Sequence, residues 1–134
     1  MALNPKWSNY AVNLEVNALL GQLNNGYLRV YDGAQPVDGD TAIGSQVKLA
    51  ELRWNATAFA SAVAGVAEAN AITSDINTVA GTATWFRALT SDGVTALFDG
   101  TVGTAGCNII LNSVLIGTGG MVAVSSFIYT QPKG

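Results

Sequence analysis

From Gly26 to the end of the chain, short apolar runs of period two alternate with turn residues, and this pattern restricts the fold to a mainly β architecture. The chain has 134 residues, enough for one domain with a core of its own. Turns at this spacing are typical of a β-sandwich or jelly roll. We predict seven or eight short strands in segments 27–31, 47–54, 66–73, 82–89, 95–98, 107–111 and 121–130.

Turn signals and apolar faces add detail to this pattern. Asp92-Gly93 predicts a tight hairpin between 82–89 and 95–98, because a type I′ turn needs positive φ at both central residues. Asp99-Gly100 indicates a further turn. Both faces of segment 121–130 carry apolar residues, as in a strand that is covered on both sides or lies at an interface.

One α-helix is predicted at the start of the domain, over about 8–23. Ser8 is suited to the N-cap, and Asn24-Asn25-Gly26 provides residues that tolerate a left-handed stop. One face of the helix is apolar at the 3.6-residue period: Val12, Val16, Leu19, Leu20 and Leu23. The other face carries mostly amides, which suits a protein–protein contact: Asn9, Asn13, Asn17 and Gln22, with Glu15.

Charged side chains are unusually scarce, at 11% of residues against about 25% in a typical soluble domain. The chain has six Lys and Arg, nine Asp and Glu, and no His. The basic residues are scattered, so direct nucleic-acid binding is not expected. No apolar run approaches the roughly 20 residues that span a bilayer. A subunit that buries much of its surface against neighbours, such as a homodimer or homotrimer, fits this composition.

The sequence offers little chemistry. Without histidine, the Ser-His-Asp and Cys-His arrangements are excluded, and zinc would have only carboxylates and one cysteine. Cys107 lies in an apolar run and is expected to be buried. We therefore expect no enzymatic activity, no metal and no cofactor.

Three polar features remain, and each has a simple structural interpretation. The only concentration of carboxylates is Asp32, Asp38 and Asp40, which we interpret as solvated loop acids rather than a Ca²⁺ site or a glycosidase pair. Segment 117–120 is rich in glycine but lacks the lysine of a phosphate loop, so a turn is expected. Glu51 and Arg53 share a strand face, which favours an ion pair or a subunit contact.

Aromatic residues on strands are expected in the core rather than on a sugar-stacking platform. Trp7 differs, because it lies in the extended arm predicted over 1–7, where a bulky aromatic ring needs a neighbour. We predict that Trp7 anchors a contact between subunits. Tyr10, Tyr129 and Pro132 are further candidate assembly contacts.

Several motifs resemble a family of small structural proteins of tailed phages and prophages, over most of residues 25–134. The most specific is the Gly-Thr-Ala-Thr-Trp-Phe-Arg segment at 81–87; the others are Leu-Ala-Glu-Leu-Arg at 49–53, Ala-Thr-Ala-Phe at 56–59, Ala-Asn-Ala-Ile-Thr-Ser-Asp at 69–75, Ser-Asp-Gly at 91–93, Phe-Asp-Gly at 98–100 and the ending Pro-Lys-Gly. Within such families, small all-β proteins are similar to head decoration (cement) proteins. The resemblance implies binding to the outside of the major capsid lattice, as a dimer or trimer, and bracing of the head against DNA pressure.

The predicted function is therefore that of a virion structural protein on the capsid surface, made in the host cytoplasm. A tail or head–tail connector subunit is the alternative within the same class. A carbohydrate-binding or receptor-binding module is the alternative from a different class, based on the aromatic residues.

Overall fold

The computed structural model describes residues 3–131 and contains one helix followed by nine strands. Helix α1 is Asn9–Gly21. The Ser8 hydroxyl accepts a hydrogen bond from the Ala11 amide at 3.1 Å, as an N-cap does. After the C-cap at Gln22, Asn25 has φ +59°, the left-handed conformation that its position predicts. No helix among the described residues is long and apolar enough to cross a membrane.

Seven of the nine strands form one curled sheet, in the order β2-β1-β5-β6-β7-β9-β3, and β4 pairs with β8. All neighbours are antiparallel except β6 and β7, which are parallel at Val102 and Gly103. The strands are β1 Tyr27–Tyr31, β2 Lys48–Arg53, β3 Val66–Glu68, β4 Gly81–Thr82, β5 Trp85–Leu89, β6 Ala96–Gly103, β7 Ile109–Leu111, β8 Leu115–Ile116 and β9 Val124–Thr130.

Helix α1 packs its buried face, Val12, Val16 and Leu20, into the same core as the strands, and Leu23, just after the helix, joins this core. Aromatic rings fill the centre of this core, where Phe127 lies 5.4 to 5.6 Å from Trp54, Phe59 and Phe86 between ring centroids. The fold is thus mainly β, with 36% of residues in strands and one N-terminal helix. The predicted sandwich-like fold class is confirmed.

The loop between β1 and β2 covers the second face of the central strand β5, all five residues of which are buried. The indole Nε1 of Trp85 donates to the Asp32 carbonyl at 3.0 Å, and the Trp85 ring stacks on Tyr31 at 4.6 Å. Two alternatives were predicted for 121–130: a strand covered on both faces, or a strand at an interface. In β9 only Phe127 is buried, so the described residues do not cover both faces of the strand, and the interface stays a prediction.

Two turn predictions also need correction. The hairpin between β5 and β6 forms, but only Gly93 has positive φ, so the turn is not type I′. Asp92 instead organises a longer loop by accepting hydrogen bonds from the amides of Val94 and Thr95. Asp99-Gly100 is not a turn; it lies inside β6, opposite Arg87 and Phe86.

Candidate assembly surface

Three basic side chains, Arg29, Lys48 and Arg87, form ion pairs with carboxylates of the same chain. Arg87 forms a bidentate pair with Asp99, at 2.8 Å (Nε–Oδ1) and 3.0 Å, and both side chains are buried. Its guanidinium also donates to the carbonyls of Asp38 and Thr41, which fixes the covering loop to the sheet. Hydrogen bonding to Asp99 raises the pKa of Arg87 above its ordinary value, against the opposing effect of burial.

A second ion-pair group lies on β1 and β2. Glu51 accepts from Arg29 at 2.8 Å and from Lys48 at 3.2 Å. Burial acts to raise the pKa of Glu51, but the hydrogen bonds from these two cations outweigh it, and the pKa is lowered. The predicted partner Arg53 instead donates to the Asn25 carbonyl at 2.8 Å, with its guanidinium carbon 4.1 Å from the centre of the Tyr27 ring. The expectation of a Glu51–Arg53 ion pair was wrong.

A cleft of about 540 Å³ opens between the covering loop and the β5–β6 hairpin, and Arg29, Tyr31 and Arg87 are among the residues that line it. Burial raises the pKa of the Tyr31 hydroxyl, although both arginines act to lower it. Each guanidinium binds a carboxylate of its own chain, Arg29 through Nε and Arg87 through Nε and Nη2.

The loop acids have local roles. Asp32 accepts from the Val47 amide at 2.6 Å, and Asp38 accepts from the Asp40 amide and the Thr41 hydroxyl. Such bonds stabilise turns. Among residues 3–131, no three His, Cys, Asp or Glu side chains lie close enough to hold a metal ion.

The glycine-rich segment forms the predicted turn. The Gly120 amide donates to the Gly117 carbonyl, and the buried Thr78 hydroxyl lies 2.7 and 2.8 Å from the carbonyls of Gly117 and Gly120. The Gly119 amide donates to the Thr78 carbonyl. These amides bind the protein's own backbone, so they do not form a cradle for phosphate.

Cys107 is partly exposed rather than buried, because β7 begins two residues later, at Ile109. It lies in the bend that leads into this strand. The predicted segment 107–111 therefore forms a strand only in its second part.

Two amide side chains of α1 bind the backbone of this chain. Asn13 accepts from the Gly65 amide at 2.8 Å, and Asn17 accepts from the Ala62 amide at 2.9 Å. Just after the helix, Asn24 accepts from the Ala58 amide in the same way. The row of amides thus holds segment 58–65 along one side of the helix. Asn17 stays exposed and Asn13 is half-buried, so a contact of this row with another protein stays a prediction.

The outer face of α1 is apolar. Tyr10 is 75% exposed and Leu14 is 54% exposed, and Ala18, one helical repeat further, is also exposed. Trp7 is 48% exposed and lies just before the N-cap, in the segment 3–7 that has no regular structure. We call Trp7, Tyr10, Leu14 and Ala18 the outer stripe. Two of the four predicted assembly contacts, Trp7 and Tyr10, are thus exposed three residues apart at the start of α1.

Tyr129 lies elsewhere, in a groove of about 500 Å³ between β6 and β9. The groove opens because β7 pairs only with the C-terminal end of β6 and the N-terminal half of β9, which leaves the other ends of these two strands apart. The Tyr129 ring packs on Phe98 at 5.7 Å, and its hydroxyl donates to Gln131. Burial, and secondarily the negative charge of Glu15, raise its pKa. The remaining candidate, Pro132, lies outside the described residues.

Most of the other large aromatic residues belong to the core, as predicted, but Tyr27 on β1 is only half-buried. Trp54 and Trp85 are buried, and their indole N–H groups donate to backbone carbonyls. Two of the three tryptophans are therefore unavailable for stacking on a sugar ring.

The chain matches no protein-family model, no curated protein and no solved structure. Its resemblance to phage structural proteins remains a prediction from the motifs. The most specific of these, at 81–87, forms β4 and the first half of β5, where Trp85, Phe86 and Arg87 are buried. Trp85, Phe86 and Arg87 of this motif therefore support the fold, while Thr82 and Thr84 are exposed and the Thr84 hydroxyl donates to the Gly33 carbonyl.

Proposed function

We propose that this protein is a non-enzymatic structural subunit of a phage virion, and more specifically a capsid decoration protein that binds the outside of the major capsid lattice. The observation that supports this proposal best is the outer stripe of α1, an exposed and uncharged apolar surface on a rigid β body. Exposed apolar surface of this kind marks a site of protein interaction more often than a solvated face.

The charge distribution supports the same role. The chain exposes 7242 Å², which gives about 480 Å² for each of its fifteen charged residues. Two of these, Arg87 and Asp99, are buried as a pair, so the surface carries still fewer charges. A surface this poor in charge suits a subunit that is largely covered in its assembly. Many weak contacts on a lattice add up, so no single contact needs to be strong.

A decoration protein and a connector subunit differ in copy number. We would purify virions that carry this gene and count copies of the chain per major capsid protein by quantitative mass spectrometry with labelled peptides. A fixed, large ratio is expected for decoration. A handful of copies per particle would instead indicate a tail or connector subunit, and absence from washed virions would refute the virion assignment.

Binding to the lattice provides the second test. Heads that lack the protein are mixed with purified protein and sedimented, and the bound fraction is measured for the native chain and for Tyr10→Ser. Val37→Ser is the matched control, since Val37 is fully exposed in the covering loop, away from α1. We expect weaker binding for Tyr10→Ser only. Equal binding of all three proteins would show that the outer stripe does not take part.

A further inference from the structure

We infer that the outer stripe is a two-fold contact between two copies of this chain, formed by an antiparallel pair of α1 helices centred on Leu14. This inference rests on the proposed role of the outer stripe as an assembly surface. It concerns the purified protein, however, so its test can succeed or fail independently of the virion assignment.

Two sides of α1 are already assigned. Val12, Val16 and Leu20 face the core, and Asn13 and Asn17 bind the backbone of segment 58–65. Residues 10, 14 and 18 follow one another at the four-residue spacing of a single helix face. They point away from the core and carry no charge. A surface helix usually carries polar side chains on the face opposite the core. The apolar residues on this face of α1 therefore indicate a surface that another molecule covers.

The order of side-chain sizes along the stripe identifies a second copy as the partner. If two helices run antiparallel about Leu14, the residues that meet have numbers that add to twenty-eight. Leu14 then meets Leu14, and the large Tyr10 meets the small Ala18 of the other copy. Beyond them, the end that carries Trp7 faces Gly21, where the structure leaves open space around the position of a Cβ atom. Large residues at one end and small residues at the other make the stripe complementary to itself, as an isologous contact requires.

Charge also permits this pairing. Glu15 is the only charged residue of α1. In the same register it is placed opposite Asn13 rather than opposite the second Glu15. The two like charges are therefore not brought face to face. In a parallel pairing, by contrast, each residue would meet its own copy, so that Tyr10 would meet Tyr10 and Ala18 would leave a gap.

The area available predicts a weak dimer. The exposed parts of Trp7, Tyr10 and Leu14 amount to about 400 Å² per copy, given that a large aromatic side chain offers roughly 150 to 250 Å². Two copies would bury about 800 Å², which is below the roughly 1,200 Å² of standard stable interfaces. We therefore expect association at high protein concentration, or where a lattice holds copies close together.

Disulfide trapping tests the register directly. In a Cys107→Ser background, we would introduce single cysteines as Leu14→Cys, Tyr10→Cys and Ala18→Cys, oxidise mildly, and measure covalent dimers on non-reducing gels and by intact mass. Leu14→Cys is expected to cross-link with itself, because it lies on the two-fold axis. Tyr10→Cys and Ala18→Cys are expected to cross-link poorly alone and well when mixed, since the two Tyr10 positions lie eight residues, or about 12 Å, apart along the helix pair.

Val94→Cys in the same background is the matched control for chance collisions, because Val94 is 80% exposed on the β5–β6 hairpin. We expect Leu14→Cys to dimerise about tenfold faster than this control. Efficient self-linking of Tyr10→Cys and Ala18→Cys would overturn the antiparallel register, and rates no higher than that of Val94→Cys would overturn the two-fold contact itself. The Leu14→Lys variant, after circular dichroism has shown that it folds, should sediment as a monomer under conditions in which the native chain sediments as a dimer. A dimer retained in Leu14→Lys would also count against the inference.

Discussion

Removal of one partner from the buried Arg87–Asp99 pair should destabilise the fold strongly, because the remaining charge is left without a counterion. The two side chains are only 8% and 2% exposed. Breaking a buried pair of this kind typically costs about 3 to 5 kcal/mol. For a chain of this size, about 3 kcal/mol corresponds to a fall of about 10 °C in the melting temperature. We expect both Asp99→Leu and Arg87→Met to lie in this range.

The double variant Arg87→Met/Asp99→Leu should be more stable than either single variant, because no buried charge remains. It still loses the hydrogen bonds from Arg87 to the carbonyls of Asp38 and Thr41, which should cost about 2 to 3 kcal/mol together. The double-mutant cycle should therefore give a coupling energy of about 3 kcal/mol or more.

Urea unfolding, followed by tryptophan fluorescence and far-UV circular dichroism, would give the four free energies of the cycle. Coinciding curves from the two probes would justify two-state fits. If the effects of the single variants simply add in the double variant, the two side chains do not act as a pair, and the account of β5 and β6 given above is refuted.

Two further predictions concern glycine substitutions in the backbone and the dependence of stability on pH below about pH 4. Gly26→Ala should destabilise the fold by about 3 kcal/mol or more, because the added Cβ would lie 2.2 Å from the Leu89 carbonyl oxygen. In the control Gly117→Ala, the added Cβ meets nothing within 4 Å, and the free energy of unfolding should change by less than about 0.5 kcal/mol. Equal losses of the two variants in urea titrations would contradict this. The pKa of Asp92 is held well below its ordinary value of 3.8, first by hydrogen bonds from the backbone amides of Thr95 and Val94 and then by two threonine hydroxyls. The stabilisation that the Asp92 carboxylate provides is therefore present above about pH 4 and is lost as the pH falls further. Thermal melts should therefore show a lower stability of Asp92→Asn at pH 7 and a shallower decline between pH 4 and 2, and parallel curves for the two proteins would argue against the role of the carboxylate.

Local signals in the sequence predicted the N-terminal helix well. The helix follows from the spacing of Val12, Val16 and Leu20 and from the Ser8 cap, all of which act within a few residues. Exposure of Trp7 and Tyr10 agrees with their selection as candidate contacts, although contact with a partner remains a prediction.

Interactions between distant residues were not predictable in the same way. The amides of Asn17 and Asn13 find partners 45 and 52 residues away, and nothing in their local pattern indicates this. Asp99-Gly100 is a turn dipeptide by composition, but the Arg87 guanidinium pairs with the aspartate, and the missing Cβ of Gly100 makes room for the Phe86 ring, which a Cβ would approach to 2.6 Å. Tertiary contacts thus override a local turn preference.

The position of β9 in the sheet has a consequence for synthesis on the ribosome. The last strand lies between β7 and β3, and the Gln131 amide donates to the carbonyl of Gly65, whose own amide binds Asn13 of the helix. Helix α1 is therefore held by a residue that is synthesised about 110 positions later. At about 5 to 20 residues per second, the apolar face of α1 waits several seconds for its sheet. We expect the nascent chain to depend on chaperones until its final strand emerges, and then to fold in a single late step.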